Sequence, residues 1–220
     1  MLNIAPGIMC GVTEPTTPVP DVSLAERKRQ LVRDELAEAA LKLLARQGFE
    51  TTTIDQIVAT AGVSRRTFFR YFRSKEDVIV QFLGDVGAQL CAALAVRPVG
   101  EPPAVALRHA LSVFVQTCIE HPEKALRLTK LTLGTPALLA RFLELQAQWR
   151  TDLAAELARR AGPGPHVDLR SALAAAVALA AFDTALNRWA DSDGADDLAD
   201  LTDQTFAVVA AALNAGEQLS

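Results

Sequence analysis

Apolar positions recur every three or four residues along most of this chain, and almost nowhere do they alternate residue by residue. That spacing predicts helices with one buried face, because 3.6 residues make a turn. The stripe Leu36, Ala39, Ala40, Leu43 and Leu44 predicts a first helix over 24–47, ended by Gly48 as a C′ glycine. A second starts at Thr53, with Gln56 placed for a reciprocal capping box; it buries Ile54, Ile57 and Val58 and stops at Gly62. A third follows Ser64, another N-cap residue, and ends near Phe72. A fourth follows Ser74 and runs to about residue 95.

Prolines and glycines punctuate the rest. A fifth helix over 104–120 carries Leu107, Leu111, Phe114 and Cys118 on one face. Pro122 suits the start of a short sixth, ending near Gly134, and Pro136 starts a long seventh with the stripe Leu138, Phe142, Leu145, Trp149 and Leu153. Two last helices are expected over 168–190 and 196–214. Their stripes are Leu179, Phe182, Leu186 and Trp189 in one, and Leu198, Leu201, Thr205, Val208 and Ala212 in the other. About nine helices with short links predict an all-α fold, and no repeat of solenoid length interrupts them.

The longest uninterrupted apolar run, 172–182, has 11 residues, against about 20 for a membrane span. It is expected to be a buried helix of a soluble chain that makes no membrane contact. Residues 1–23 hold no Lys or Arg and four prolines, which predicts a disordered leader rather than a signal peptide. Cys10, Cys91 and Cys118 are far apart and odd in number, as in reduced cysteines of a cytoplasmic protein.

Charge divides the chain. Residues 24–75 hold 11 Lys/Arg against 6 Asp/Glu, while the remainder holds 11 against 20. A basic block beside an acidic remainder suits one part meeting a polyanion and another that does not. The block contains Ala59-Thr-Ala-Gly-Val-Ser64, a glycine turn between two short helices, which is the layout of a helix-turn-helix. Phe68 and Phe72 would anchor the third helix from beneath, leaving Arg65, Arg66, Thr67, Phe69, Arg70 and Tyr71 on its other faces. Arginine can bind guanine bidentately and a threonine methyl can meet that of thymine, so this helix is expected to read the major groove of double-stranded DNA. The helix starts after Thr53 and Ser74 present backbone N–H groups to phosphates, with Lys75 beside one of them.

The stretch from Phe49 to Asp77, FETTTIDQIVATAGVSRRTFFRYFRSKED, resembles the DNA-binding domain of TetR-family transcriptional regulators. The resemblance implies an all-helical homodimer, with a helix-turn-helix domain over 24–73 and a ligand-binding and dimerisation domain over 74–215. It places Arg65, Arg66 and Thr67 where base contacts are usual. Thr53, Phe69, Tyr71 and Lys75 fall at phosphate-contact positions, and Ser64 at the cap of the reading helix. One departure is Phe69, where the family commonly has tyrosine, so the hydroxyl bond to phosphate is lost. The family's ligand lies among the helices that here carry Phe114, Cys118, Phe142 and Trp149. The segment from Leu126 to Leu138 is also similar to an actinobacterial subgroup associated with acyl-CoA-like ligands and the mycofactocin redox system. That likeness makes Arg127, Lys130 and Arg141 candidates for a ligand phosphate or carboxylate. Leu179, Phe182, Leu186, Leu201, Thr205 and Val208 are the expected dimer contacts.

No constellation for catalysis, metal or cofactor stands out: His109, His121 and His166 are isolated, and no nucleophile elbow or phosphate-binding glycine loop is present. The chain is not expected to be an enzyme, and the family resemblance implies a homodimeric repressor released from a palindromic operator by a small hydrophobic or acyl-CoA-like effector. Two alternatives stay open at this stage: an activator or constitutive DNA-binding factor, and a small-molecule-binding domain with a vestigial DNA module.

Overall fold

The computed structural model describes residues 23–214, so the leader expected over 1–23 lies, but for Ser23, outside the described residues. Those residues form helices α1 (Leu24–Gln47), α2 (Ile54–Thr60), α3 (Arg65–Tyr71), α4 (Lys75–Ala95), α5 (Pro103–Glu120), α6 (Pro122–Gly134), α7 (Pro136–Ala161), α8 (Val167–Asp191) and α9 (Leu198–Asn214). The all-α expectation holds, with boundaries displaced by at most two residues.

Local chemistry explains most ends. Thr53 and Gln56 form the capping box at α2, each side chain meeting the other's backbone N–H. Ser64 and Ser74 cap α3 and α4 by accepting from Thr67 and Asp77 N–H. Gly62 has φ +65°, the left-handed conformation that the turn between α2 and α3 demands. The ninth helix starts at Leu198 rather than 196, because Asp197 stays outside as its cap and accepts from Asp200 N–H at 2.9 Å.

The three short-range partners α1, α2 and α3 close over Leu36, Leu44, Ile57, Phe68 and Phe72, each at most 1% exposed. Ile54 is half-buried rather than buried. Helix α4 leaves this unit and enters the larger bundle of α5–α9, packing on α5 and α7. Its far end is fixed by Arg160 of α7, which donates to the carbonyls of Leu94, Arg97 and Pro98. The Leu94 and Pro98 carbonyls also accept from the N–H groups of Arg97 and Glu101, each at 3.2 Å, so Arg160 adds a second bond to both and ties the turn after α4 to α7.

Helices α4 and α8 are long and apolar enough to cross a bilayer by length and composition alone. Both lie inside the bundle, where α8 packs against α7 and α9. The 11-residue apolar run sits in α8, but it is not buried all round: Ala172, Leu173 and Ala180 face outward.

Candidate DNA interface and effector cavity

Helix α3 is held from below and open above. Phe68 is fully buried, with Phe72 5.6 Å from it and Phe69 set edge-on at 5.4 Å. Arg65, Arg66, Phe69 and Arg70 are exposed around it. Arg65 is steadied by an exposed ion pair to Asp55 of α2 at 3.2 Å, whereas Arg66 has no partner among the described residues. Such an exposed pair is weak enough for a nucleic acid to displace. Ser64 and Thr67 share a hydroxyl hydrogen bond of 3.0 Å, so both stand at the open N-terminal turn. Tyr71 is half-buried with its ring under the Arg70 guanidinium at 4.9 Å, and its hydroxyl accepts from Arg70. Phe69 is 49% exposed and carries no hydroxyl to offer a phosphate.

Lys75 is turned away from the expected phosphate role. Its ammonium donates to the carbonyls of Phe49 (2.5 Å) and Thr52 (3.2 Å) and lies 4.0 Å from the centre of the Phe49 ring. It clasps the loop between α1 and α2 to the start of α4.

In the larger bundle a cavity of about 210 Å³ opens among α1 and α4 to α8. Phe114, Cys118 and Phe142 line it, and burial pushes the Cys118 thiol up to about 12. The other candidates, Trp149, Arg127, Lys130 and Arg141, lie outside its wall. Trp149 packs against Gly87 of α4, and Arg127 is exposed beside Glu123 at 3.8 Å. Arg141 pairs with Glu144 at 2.6 Å and Lys130 with Asp193, both on the surface. Sequence reasoning missed Leu41, Phe82, Lys124, Thr129, Thr132 and His121 in the wall. The i, i+3/4 spacing of Ala125, Leu128, Thr129 and Thr132 marks one face of α6, but nothing in it says that this face borders a void.

The expected dimer stripe needs a correction on α8. Leu179, Phe182 and Leu186 are buried in the chain's own core, Phe182 stacking edge-on with Phe114 at 5.3 Å and Leu186 reaching the cavity. The face that α8 leaves uncovered is turned from them and carries Leu169, Leu173 and Ala180. On α9, Val208 is 83% exposed, while Leu201 and Thr205 are half-buried. Among the described residues no group of three or more His, Cys, Asp and Glu could hold a metal ion.

The pattern of bacterial regulatory proteins of the tetR family matches residues 36–82, and that of the MftR C-terminal domain matches residues 101–214. The chain is 35% identical over 179 residues to the HTH-type transcriptional regulator TcmR of Streptomyces glaucescens, covering 77% of this chain and 79% of that one. The chain belongs to the TetR family. A Mycobacterium tuberculosis protein named for regulating mycofactocin biosynthesis, MftR, is 31% identical over 144 residues, covering 66% of this chain and 73% of its own. Among solved structures, the fatty acid degradation regulator FadR of Bacillus halodurans superposes with a TM-score of 0.62 at 18% identity, covering 83% of this chain and 96% of that one. FadR of Thermus thermophilus, in complex with lauroyl-CoA, gives 0.55 at 22% identity, with coverage of 80% and 92%. Both share the fold. As a TetR-family member this chain is a DNA-binding transcriptional regulator and not an enzyme.

Proposed function

We propose that the chain is a cytoplasmic homodimeric repressor, released from a palindromic operator when a small hydrophobic or acyl-CoA-like molecule enters the cavity. One observation carries this reading: Leu41 of α1 and Ile79, Phe82 and Leu83 of α4 share the cavity wall with Phe114 and Phe142. A ligand there presses directly on the two helices that hold the DNA-reading unit. Helix α4 is fixed at its far end by Arg160, so a push near Phe82 moves the end that leads back to α3. Two recognition helices spaced for successive major grooves then lose their register. The uncovered apolar residues of α8 and α9 support pairing of two subunits through these helices.

The test needs no knowledge of the ligand. Ala125→Trp fills the cavity from α6. Operator affinity is measured by anisotropy on a duplex from the gene's own upstream region. A folded dimer of this variant is expected to bind about tenfold or more weakly, the usual scale of coupling between sites. Unchanged affinity overturns the mechanism. Reporter expression in a deletion strain then separates repression, which is relieved, from activation, which is lost.

A further inference from the structure

The cavity wall carries unspent polar chemistry on one face of α6. Thr129 and Thr132 are 9% and 8% exposed, and both line the cavity. Among the described residues, neither hydroxyl has a hydrogen-bond partner. Elsewhere helical threonines return their hydroxyls to the backbone: Thr117 to Val113, Thr184 to Ala180 and Thr202 to Leu198. Two free hydroxyls facing an apolar space leave hydrogen bonds for an occupant to make.

Lys124, on the same helix, also lines the cavity, half-buried and without an anionic partner among the described residues. The other cations of α6 and α7 near this end are spoken for: Arg127 by Glu123, Lys130 by Asp193 and Arg141 by Glu144. Among the described residues that leaves one free ammonium in the cavity wall, which suits one anionic group and falls short of the several phosphates of a coenzyme A head. Size points the same way. A dry cavity of about 150 Å³ holds benzene, so about 210 Å³ has room for one or two rings. Phe82, Phe114 and Phe142 supply the aromatic surface for them.

Resting on the repressor reading above, we infer that the effector is a compact one- or two-ring aromatic acid bearing a further oxygen. Its acid group meets Lys124, its oxygen meets Thr129 and Thr132, and its rings lie among the phenyl groups.

The probe is 1-hydroxy-2-naphthoic acid, which fluoresces. It is titrated into the full chain beside its uncharged methyl ester and lauroyl-CoA. The acid is expected to bind at least tenfold more tightly than the ester, and Lys124→Met to erase that difference. Thr129→Val with Thr132→Val is expected to weaken acid and ester alike by about tenfold. Absence of naphthoate binding overturns the inference, as does tighter binding of lauroyl-CoA or an acid-to-ester ratio unchanged in Lys124→Met. If lauroyl-CoA instead binds and releases the operator, only the ligand class falls and the repressor reading stands. The Ala125→Trp experiment decides that reading separately.

Discussion

The indole of Trp149 occupies the space that a Cβ at Gly87 would need: such an atom would lie 2.0 Å from Nε1 and 2.3 Å from Cδ1. Helices α4 and α7 therefore meet backbone to ring, midway along α4. Gly87→Ala gains roughly 1 kcal/mol of helix propensity, but overpacking costs typically about 1–3 kcal/mol. Net destabilisation is expected in urea melts, and Trp149→Leu in the same chain should recover it. A Gly87→Ala variant as stable as the parent would show that the ring moves aside freely.

Arg66 and Lys75 should fail differently. Arg66→Ala removes an exposed guanidinium that has no partner among the described residues and is expected to relax base preference at a cost of about 1–3 kcal/mol. Lys75→Met takes a donor from two carbonyls, so it is expected to lower Tm and leave the salt slope of DNA binding unchanged. A slope reduced by about one would mean that the ammonium reaches a phosphate after all.

Phe69→Tyr adds a hydroxyl at the exposed edge of α3. Operator affinity should rise by about two- to tenfold, the range of one added hydrogen bond. Titrations on specific and scrambled duplexes should show the gain on both, since a phosphate contact carries no sequence information.

Much of this was legible in the sequence because it is local chemistry. The caps at Thr53, Ser64 and Ser74, the turn at Gly62 and the paired phenylalanines Phe68 and Phe72 all act within one or two helical turns. What periodicity could not assign is which neighbour a stripe faces. Phe182 and Leu186 lie on a well-formed apolar stripe, yet that stripe turns inward, and the face with Leu169, Ala172, Leu173 and Ala180 looks out. Alanine is small enough to sit on either side, so an all-apolar run hides its own orientation. Trp149 went astray for the same reason: the ring shares a stripe with Phe142 but meets a glycine from another helix.

Leu173→Glu and Val208→Glu place charge on the uncovered faces of α8 and α9. Light scattering is expected to report dimers for the parent chain and monomers for both variants, with helical content unchanged. A dimer that survives both substitutions places the subunit contact elsewhere.

The Cys118 thiol, pushed from 9.0 to about 12 by burial, favours the folded state only while it keeps its proton. Its contribution is whole below pH 9 and is lost as pH climbs toward 12. Urea midpoints of the parent chain should therefore fall more steeply over that range than those of Cys118→Val. Parallel curves would mean that the thiol gains water before it ionises.

Leu41 belongs to the DNA-reading unit by sequence and lines the proposed effector cavity by position. Regulators of this build are therefore poor candidates for cassette exchange at the α3–α4 junction. A chimera that keeps this effector half but imports a foreign α1 inherits a pocket with one wall replaced. Its inducer preference would drift even though every residue of the retained half is intact. Re-engineering the operator without retuning the inducer calls for grafting α2 and α3 alone and leaving α1 in place.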